Sequence, residues 1–422
     1  MGFDLKAVEE LGSLHGEPEW LRARRHASWA AYERLPMPSR SEEEWRRTNL
    51  KGLDLEAFAP WEPANGGAPV DSIEEAAAVL RQRGSEPGKV EIDPELARRG
   101  VLFLPLSRAA REHPELVERH LFKAIDPERD KLSALHGALF SGGTFLFVPR
   151  GVAVEKPFVS QFWSAGGGAA VLPHTLIVAG EGAVFNYVDE FLSPTLEKPS
   201  LTSGSAEVFA GRGSNVGYVS LQRWGSHAWQ FADQKVVAEQ EATVRVVNIG
   251  LGGRFAKTRV EASLRGPGAS AELKGLFFGS GEQFFDYHTL QSHVVGNTTS
   301  DLLFKGALRD SSRSVYAGLI RIEKGAQHSD AYQANRNLLL SKSANAYSIP
   351  MLEIMNNDVR CTHGATIAPV DPEHIFYLES RGIPHAAAER MIVHGFFGQV
   401  LDRIPVGQAR DLVEQELEAR IG

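Results

Sequence analysis

Cysteine is all but missing: the 422 residues contain one, Cys361. A single cysteine makes no internal disulfide, so the fold does not depend on an oxidising compartment. No Cys-x-x-Cys pair exists for an autonomous zinc knuckle or cluster site. No apolar run approaches the roughly 18 residues of a membrane helix, and Met1-Gly2-Phe3-Asp4-Leu5-Lys6 lacks the basic-then-apolar order of a signal peptide. The expectation is a cytoplasmic chain with no membrane contact. Basic residues are outnumbered: 45 Lys and Arg against 53 Asp and Glu give a net charge of −8, which argues against nucleic acid or an anionic membrane as main partner. No Gly-x-x-x-x-Gly-Lys-Ser/Thr supplies a phosphate cradle for ATP, and no Gly-x-Gly-x-x-Gly follows a strand at the head of a βαβ unit.

What is present suits a large soluble core: 43% of residues are apolar and 23% charged. The length predicts two or three structural units. Residues 1 to about 60 read as helical, with Trp20, Leu21, Ala27, Trp29, Ala31 and Tyr32 forming an apolar stripe that ends at Pro36 and Pro38. Ser41-Glu42-Glu43-Glu44 reads as a helix start, with Ser41 as cap and Glu44 completing a capping box. A short helix is expected from Ser72 to Arg83, a strand at Val101-Leu102-Phe103-Leu104, and helical pieces from there to about Leu135.

From His136 onward helical spacing disappears. Short apolar strands alternate with Gly, Asn and Ser turns, and the turns at 182, 213, 241, 268 and 296 are 27 to 31 residues apart. A period of that size, with strands and no helices between them, predicts a solenoid of stacked β-coils. A β-propeller stays open, although its blades want four hairpin strands in about 40 to 50 residues. Coils stacked about 4.8 Å apart would make a rod whose ends are open sheet edges, and open edges need a cap or a partner. After Thr366 helices return. Asp371-Pro372 opens one, Pro384 the next, and a last helix carries Leu412, Val413, Leu417 and Ile421. The units are 1-98, mainly helical; 99-366, the β-helix core with the solenoid proper from about 136; and 367-422, a helical domain.

Chemistry concentrates where strands give way to the helical tail. Val359, Cys361 and His363 alternate, so on a strand they share a side, with neighbouring side chains about 6.5 Å apart. A thiolate and an imidazole at that spacing are candidate metal ligands, but a metal or iron–sulfur site normally wants three or four. The remaining ligands would have to come from elsewhere, a second chain among the sources. The plain alternative is that Cys361 is a small buried apolar residue. His288 and His293, on opposite sides of one strand, His328 at a turn, and Arg309, Arg313, Arg321 and Arg336 read as wall residues or paired charges. Asp286 and His288 share a side, with nothing marking a nucleophile beside them.

One string of residues is more specific than any of this. Gly325-Ala326-Gln327, Gln333-Ala334-Asn335-Arg336-Asn337-Leu338-Leu339-Leu340-Ser341, Pro350-Met351-Leu352-Glu353-Ile354, Asp358-Val359-Arg360-Cys361-Thr362-His363-Gly364-Ala365-Thr366, Phe376-Tyr377-Leu378-Glu379-Ser380-Arg381-Gly382-Ile383 and Gly395-Phe396 follow in order. Over residues 300 to 400 this resembles the SufB/SufD family of iron–sulfur cluster assembly proteins. His293, Thr298 and Ser300 fit more loosely, and Pro38-x-Arg40 with Glu44-Trp45-Arg46 and Thr48 is similar to the family's opening segment. The lone cysteine and the Cys-Thr-His-Gly-Ala-Thr form favour the SufD branch, with Thr362 where serine is commoner.

The resemblance implies a mainly β fold, a right-handed parallel β-helix flanked by N-terminal and C-terminal α-helical regions. It implies a heterodimer with SufB through the β-helix and a SufC ATPase bound at the C-terminal helices, with Phe376, Tyr377, Met391, Phe396 and Phe397 as candidate contacts. It places a transient iron–sulfur cluster at the SufB–SufD interface, with ATP on the SufC partner and no cofactor resident in the isolated chain. His363 is then the family's interface histidine and Cys361 its neighbouring cysteine, both candidate metal ligands. A homodimer in isolation stays open. The expectation is a scaffold, not an enzyme. Two other readings compete: a secreted-type β-helix carbohydrate-active enzyme, which would want carboxylates about 5 to 10 Å apart along a groove, and a thiol enzyme with Cys361 as nucleophile and His363 as base.

Overall fold

The computed structural model describes residues 2–63 and 73–421. Eight strands, from Phe158–Trp163 to Arg360–Pro369, stack in parallel as one wall of a β-solenoid. A second wall runs from Gly143–Val148 to Asn345–Ile354, also in parallel. Each coil contributes one strand to each wall, and in the first wall register partners in successive coils are 27 to 31 residues apart, as in Thr243↔Ser270 and Asp330↔Arg360. This is the period that the turns carry in sequence.

The turns keep that period for a reason of backbone geometry. One residue per coil at this corner has positive φ: Gly151, Gly182, Gly213, Glu241, Gly268, Asn297 and His328. The N–H of each donates to a carbonyl of the next coil, from Gly151 to Glu181 through to His328 to Asp358. The left-handed turn therefore aims a donor along the solenoid axis and joins the coils at their corners. Gly does this at no steric cost and Asn at little. Glu241 and His328 do it at some cost, and the His328 imidazole also lies 3.1 Å from the Asp358 carboxylate.

The two ends of the solenoid differ. At the first end short antiparallel strands terminate both walls: Lys89–Ile92 beyond Ala78–Arg83, and Leu102–Pro105 beside Gly143–Val148. The helix expected over 72 to 83 is therefore strand from Ala78, with Ser72 outside the described residues. Pairing with Phe158–Trp163 overrides the helical preference of Ala78, Leu80, Arg81 and Gln82. At the last end, Asn345–Ile354 and Arg360–Pro369 each have a strand neighbour on one side only.

Helices cover the walls. Glu19–Arg34 is pinned by Arg25, fully buried, which binds the Glu17 carboxylate twice at 2.7 Å and donates to the carbonyls of Ala138 and Phe140. Burial alone would raise the Glu17 carboxyl, but the adjacent guanidinium outweighs it and holds it below its ordinary value. The capping box expected at Ser41 does not form. A single 3-10 turn, Glu43–Trp45, sits there instead and lays Trp45 and Thr48 on the second wall, where Lys257 pairs with Asp286 at 2.8 Å. His385–Leu401 and Gly407–Ile421 bury Val393, Phe397, Val400, Val413 and Leu417 against Val219, Val247, Leu276 and Ala307 of the first wall. Arg309 fastens both helices, donating to the carbonyls of Arg420 and Ile421 and pairing with Glu389.

The interior is largely apolar, and some of its polar exceptions are tied into hydrogen-bonded clusters. Asp189, wholly buried, accepts from Thr175 and Tyr187 at 3.0 Å and from Tyr218 at 2.9 Å. Burial still prevails over these donors and pushes its carboxyl up to about 7. Between pH 4 and 7 the folded chain thus holds a proton that the unfolded chain releases, so this group's contribution to stability falls as pH rises through that window and is flat above it. Asp189→Asn is expected to be more stable than the parent at pH 8, by on the order of 2 kcal/mol, and close to it at pH 5. Urea unfolding at both pH values checks this; an equal difference at the two would contradict it.

Candidate functional site

Cys361 and His363 lie on the last strand, Arg360–Pro369. Their register partners one coil below are Ala331 and Gln333, both buried. The two side chains therefore continue the solenoid's inward-facing column, but no further coil closes over them. Cys361, half-buried, packs with Val359 against Ile320, Ile322, Ala326 and Ala331. Burial, with the nearby Asp330 carboxylate adding to it, pushes the thiol above its ordinary value. His363 is exposed, and its ring has no hydrogen-bond or ion-pair partner among the described residues. The pair is thus unequal: the sulfur is socketed and the imidazole is free.

No group of three or more His, Cys, Asp or Glu side chains among the described residues could hold a metal ion. The pair alone does not close a coordination sphere. Around it the last coil is unusually apolar for a surface. Tyr332, Tyr347, Met351, Leu352, Ile354, Met355 and Ile367 are all exposed. Exposed apolar side chains beside an unpaired sheet edge are what an interaction surface presents.

The helical candidates separate. Phe376, Tyr377 and Met391 are 71%, 57% and 53% exposed. Phe396 is half-buried, with the Lys305 ammonium 4.9 Å from its ring and bonded to its carbonyl. Phe397 is fully buried in the core between helix and sheet, so it is not available to a partner. Neighbouring residues on a helix point about 100° apart, and the packing direction decides which one faces solvent.

Other residues gain partners that were not legible. His293 is enclosed between the hydroxyls of Thr298 (2.7 Å) and Ser300 (2.8 Å), and burial lowers its ring pKa to about 4. His288 lies on the other side of the same strand, 3.0 Å from Asp286. Beside them is a cavity of about 340 Å³ lined by Glu43, Glu44, Arg129, Glu261 and Met351, among others. Burial would raise both Glu44 and Glu261, but Arg259 and Arg129 respectively hold them below the ordinary carboxylate value. A glycosidase needs one carboxyl raised to act as acid, and neither serves. A socketed, raised thiol is likewise a poor nucleophile. Cys361 is expected to react with a maleimide at pH 7 several-fold more slowly in the folded chain than in urea. Equal rates would mean that the apolar socket does not hold the sulfur.

Comparison with known proteins finds relatives along the whole chain. Residues 162–396 match the family model described as "SUF system FeS cluster assembly, SufBD core domain", and residues 90–159 match "SufBD protein N-terminal region". The chain is 29% identical to the iron–sulfur cluster assembly protein SufD of Bacillus subtilis, over 100% of this chain and 98% of that one. It is 26% identical to SufB of the same organism, over 100% of this chain and 94% of that one. A SufBD family protein of Staphylococcus saprophyticus is also 26% identical, with the same coverage. The core model alone spans more than half of the sequence, and the chain belongs to the SufB/SufD family of SUF-system iron–sulfur cluster assembly proteins.

Proposed function

We propose that the chain is a non-enzymatic scaffold subunit that pairs with SufB through the open end of its solenoid and binds a SufC ATPase through its C-terminal helices. The nascent cluster, which is cargo, is built where the two solenoids meet, with His363 as this chain's principal ligand and Cys361 beside it. One observation carries the reading. A free imidazole and a socketed sulfur stand on a terminal strand that lacks a neighbour, inside an exposed apolar rim, with too few ligands to hold a metal alone. A partner strand on that edge would satisfy the backbone, cover the rim and bring the missing ligands in one step.

The same placement connects the site to ATP turnover on the partner. Only Val370 and Asp371 separate the terminal strand from the helix Pro372–Ser380, which carries Phe376 and Tyr377. Displacement of that helix by an ATPase would pull directly on the strand bearing His363. Without SufB, a second copy of this chain competes for the same edge.

Three measurements test the reading. Co-purification with SufB and SufC, followed by iron and sulfide analysis, is expected to give a ternary complex that carries iron and sulfide. In that complex His363→Ala is expected to lower cluster yield at least about tenfold, in line with loss of a ligand, and leave assembly of the subunits intact; full yield would remove His363 from the role. Phe376→Ala with Tyr377→Ala is expected to weaken SufC binding about tenfold, as truncated interface aromatics do, and leave SufB pairing unchanged. Unchanged SufC affinity would place that contact elsewhere.

A further inference from the structure

Two cations stand side by side on the outer face of the first wall, and neither has an acid. Lys305 and Arg336 are register partners on neighbouring strands. Like charges placed opposite one another weaken a sheet. The Lys305 ammonium is buried against the helix His385–Leu401, where it donates to the Phe396 carbonyl at 2.6 Å. Burial, with Arg336 adding to it, pushes that ammonium down to about 8, and no carboxylate offsets the two. Arg336 is exposed and has no hydrogen-bond or ion-pair partner among the described residues. A cleft of about 570 Å³ beside it, between the end of that helix and the wall, does contain carboxylates. They are engaged elsewhere: Asp301 with Lys274 at 2.5 Å, and Asp402 with Arg410 at 3.8 Å.

The ladder shows where the missing charge can come from. Leu276, Lys305, Arg336 and Thr366 form one outward column, one residue per coil. Thr366 is on the terminal strand Arg360–Pro369, so the column stops one step, about 4.8 Å, beyond Arg336. A strand paired to that edge adds one residue to the same column. Gly364 and Thr366 are small, and a Cβ on Gly364 would meet only the Tyr332 hydroxyl, at 3.9 Å. The surface between Arg336 and the edge is therefore low, and an extended arginine crosses it to a carboxylate on the added strand. A guanidinium matches a carboxylate with two parallel N–H donors.

The chain's own edges lack that carboxylate. The outer face of the terminal strand offers Arg360, Thr362, Gly364, Thr366 and Ala368. The other open strand, Asn345–Ile354, has one acid on its outer face, Glu353, and Arg321 holds it at 2.8 Å. A second copy would also bring a second Arg336 to the interface. We infer that Arg336 selects the chain that pairs with the open edge: it takes a carboxylate on the outer face of the partner's edge strand, in register with Thr366, and disfavours a second copy of this chain. This deepens the proposed function and rests on it, since the occupant is the strand of SufB that completes the ladder. Selection of this kind works by leaving a charge unmatched in the wrong complex. Lys305 behind Arg336 strengthens the pull on an anion and the cost of leaving the guanidinium without one.

The test uses the full-length chain, with SufB affinity measured by titration and self-association by sedimentation equilibrium. Arg336→Gln is expected to weaken pairing with SufB at least about tenfold, as removal of an interface arginine does, and to leave self-association equal or stronger. High salt is expected to bring the parent's SufB affinity toward that of the variant. Arg336 is exposed and opposed by Lys305, so the variant's thermal midpoint is expected to equal or exceed the parent's. Arg336→Lys puts an amine at the site, and a carbodiimide, which joins amines directly to carboxylates, is expected to link it to an Asp or Glu of SufB's edge strand. Equal weakening of both kinds of pairing would mean that Arg336 merely supports the edge, and would overturn the inference. So would unchanged SufB affinity in Arg336→Gln, or a link that forms only to SufC or within this chain. Ile367→Asp, on the inner side of the same strand, separates the two readings. If it abolishes SufB pairing and Arg336→Gln does not weaken it, the edge is the interface and the selection is wrong. If it leaves SufB pairing intact, the edge is not the interface, and the proposed pairing falls with the inference.

Discussion

Everything in this molecule follows from a hydrogen-bonded ladder that has to stop somewhere. Parallel strands satisfy their backbone groups by pairing on both sides, and a stack of coils does this for every strand except the first and last. At the first end the chain solves the problem internally, with short antiparallel strands at Lys89–Ile92 and Leu102–Pro105 and helices beside them. At the other end Asn345–Ile354 and Arg360–Pro369 are ten residues long, each with a neighbour on one side only. Long, apolar edges invite pairing, and proteins usually blunt them. This one keeps Met351, Leu352 and Ile367 exposed on its edge. The strand of Ile367 also carries Cys361 and His363, so the unsatisfied backbone and the candidate site coincide.

Much of this is written in the sequence because the corner geometry repeats. A left-handed residue is needed once per coil, and where Gly or Asn supplies it, at 182, 213, 268 and 297, the corner announces itself. Glu241 and His328 adopt the same conformation without the residue type that signals it, so corner residues alone do not mark every coil. The stretch at 78–83 was misleading for the opposite reason. Ala78, Leu80, Arg81 and Gln82 favour a helix locally, and the stretch becomes strand only because Phe158–Trp163 offers an edge some 80 residues later. Distant pairing of that kind leaves no local trace.

The site was legible in part. Alternation places Cys361 and His363 on one side of a strand, and that is how they stand. Their inequality was hidden, because it is set by residues of the coil below and by the loop: Ile320, Ile322, Ala326 and Ala331 enclose the sulfur and leave the ring outside. Phe396 and Phe397 read alike in sequence, and only the packing of helix on sheet separates them. Gln333 stands in the sequence only as one member of the family-like string. Nothing local distinguishes an amide that reaches a solvated surface from one that crosses a coil to the carbonyl of Gly318.

The inequality of the two ligands suits a site that must take cargo and give it up. A thiol raised by its apolar socket is mostly protonated near neutral pH, and a protonated thiol is a weak ligand. It becomes a thiolate when a cation arrives to stabilise the charge. The imidazole is already exposed. Under the proposed function, a metal would meet the histidine first and gain the sulfur only as the charge at the interface is compensated by what a partner brings. In that reading two ligands, one of them protonated, would hold iron poorly in the lone chain, and the half-site would fill only once the edge is paired. Were motion of the helix that follows Pro369 then to draw this chain's terminal strand off its partner, the same two residues would again hold poorly and the cluster could leave. Weakness in the isolated subunit is in this view a requirement of the function, and the open edge is its structural cause.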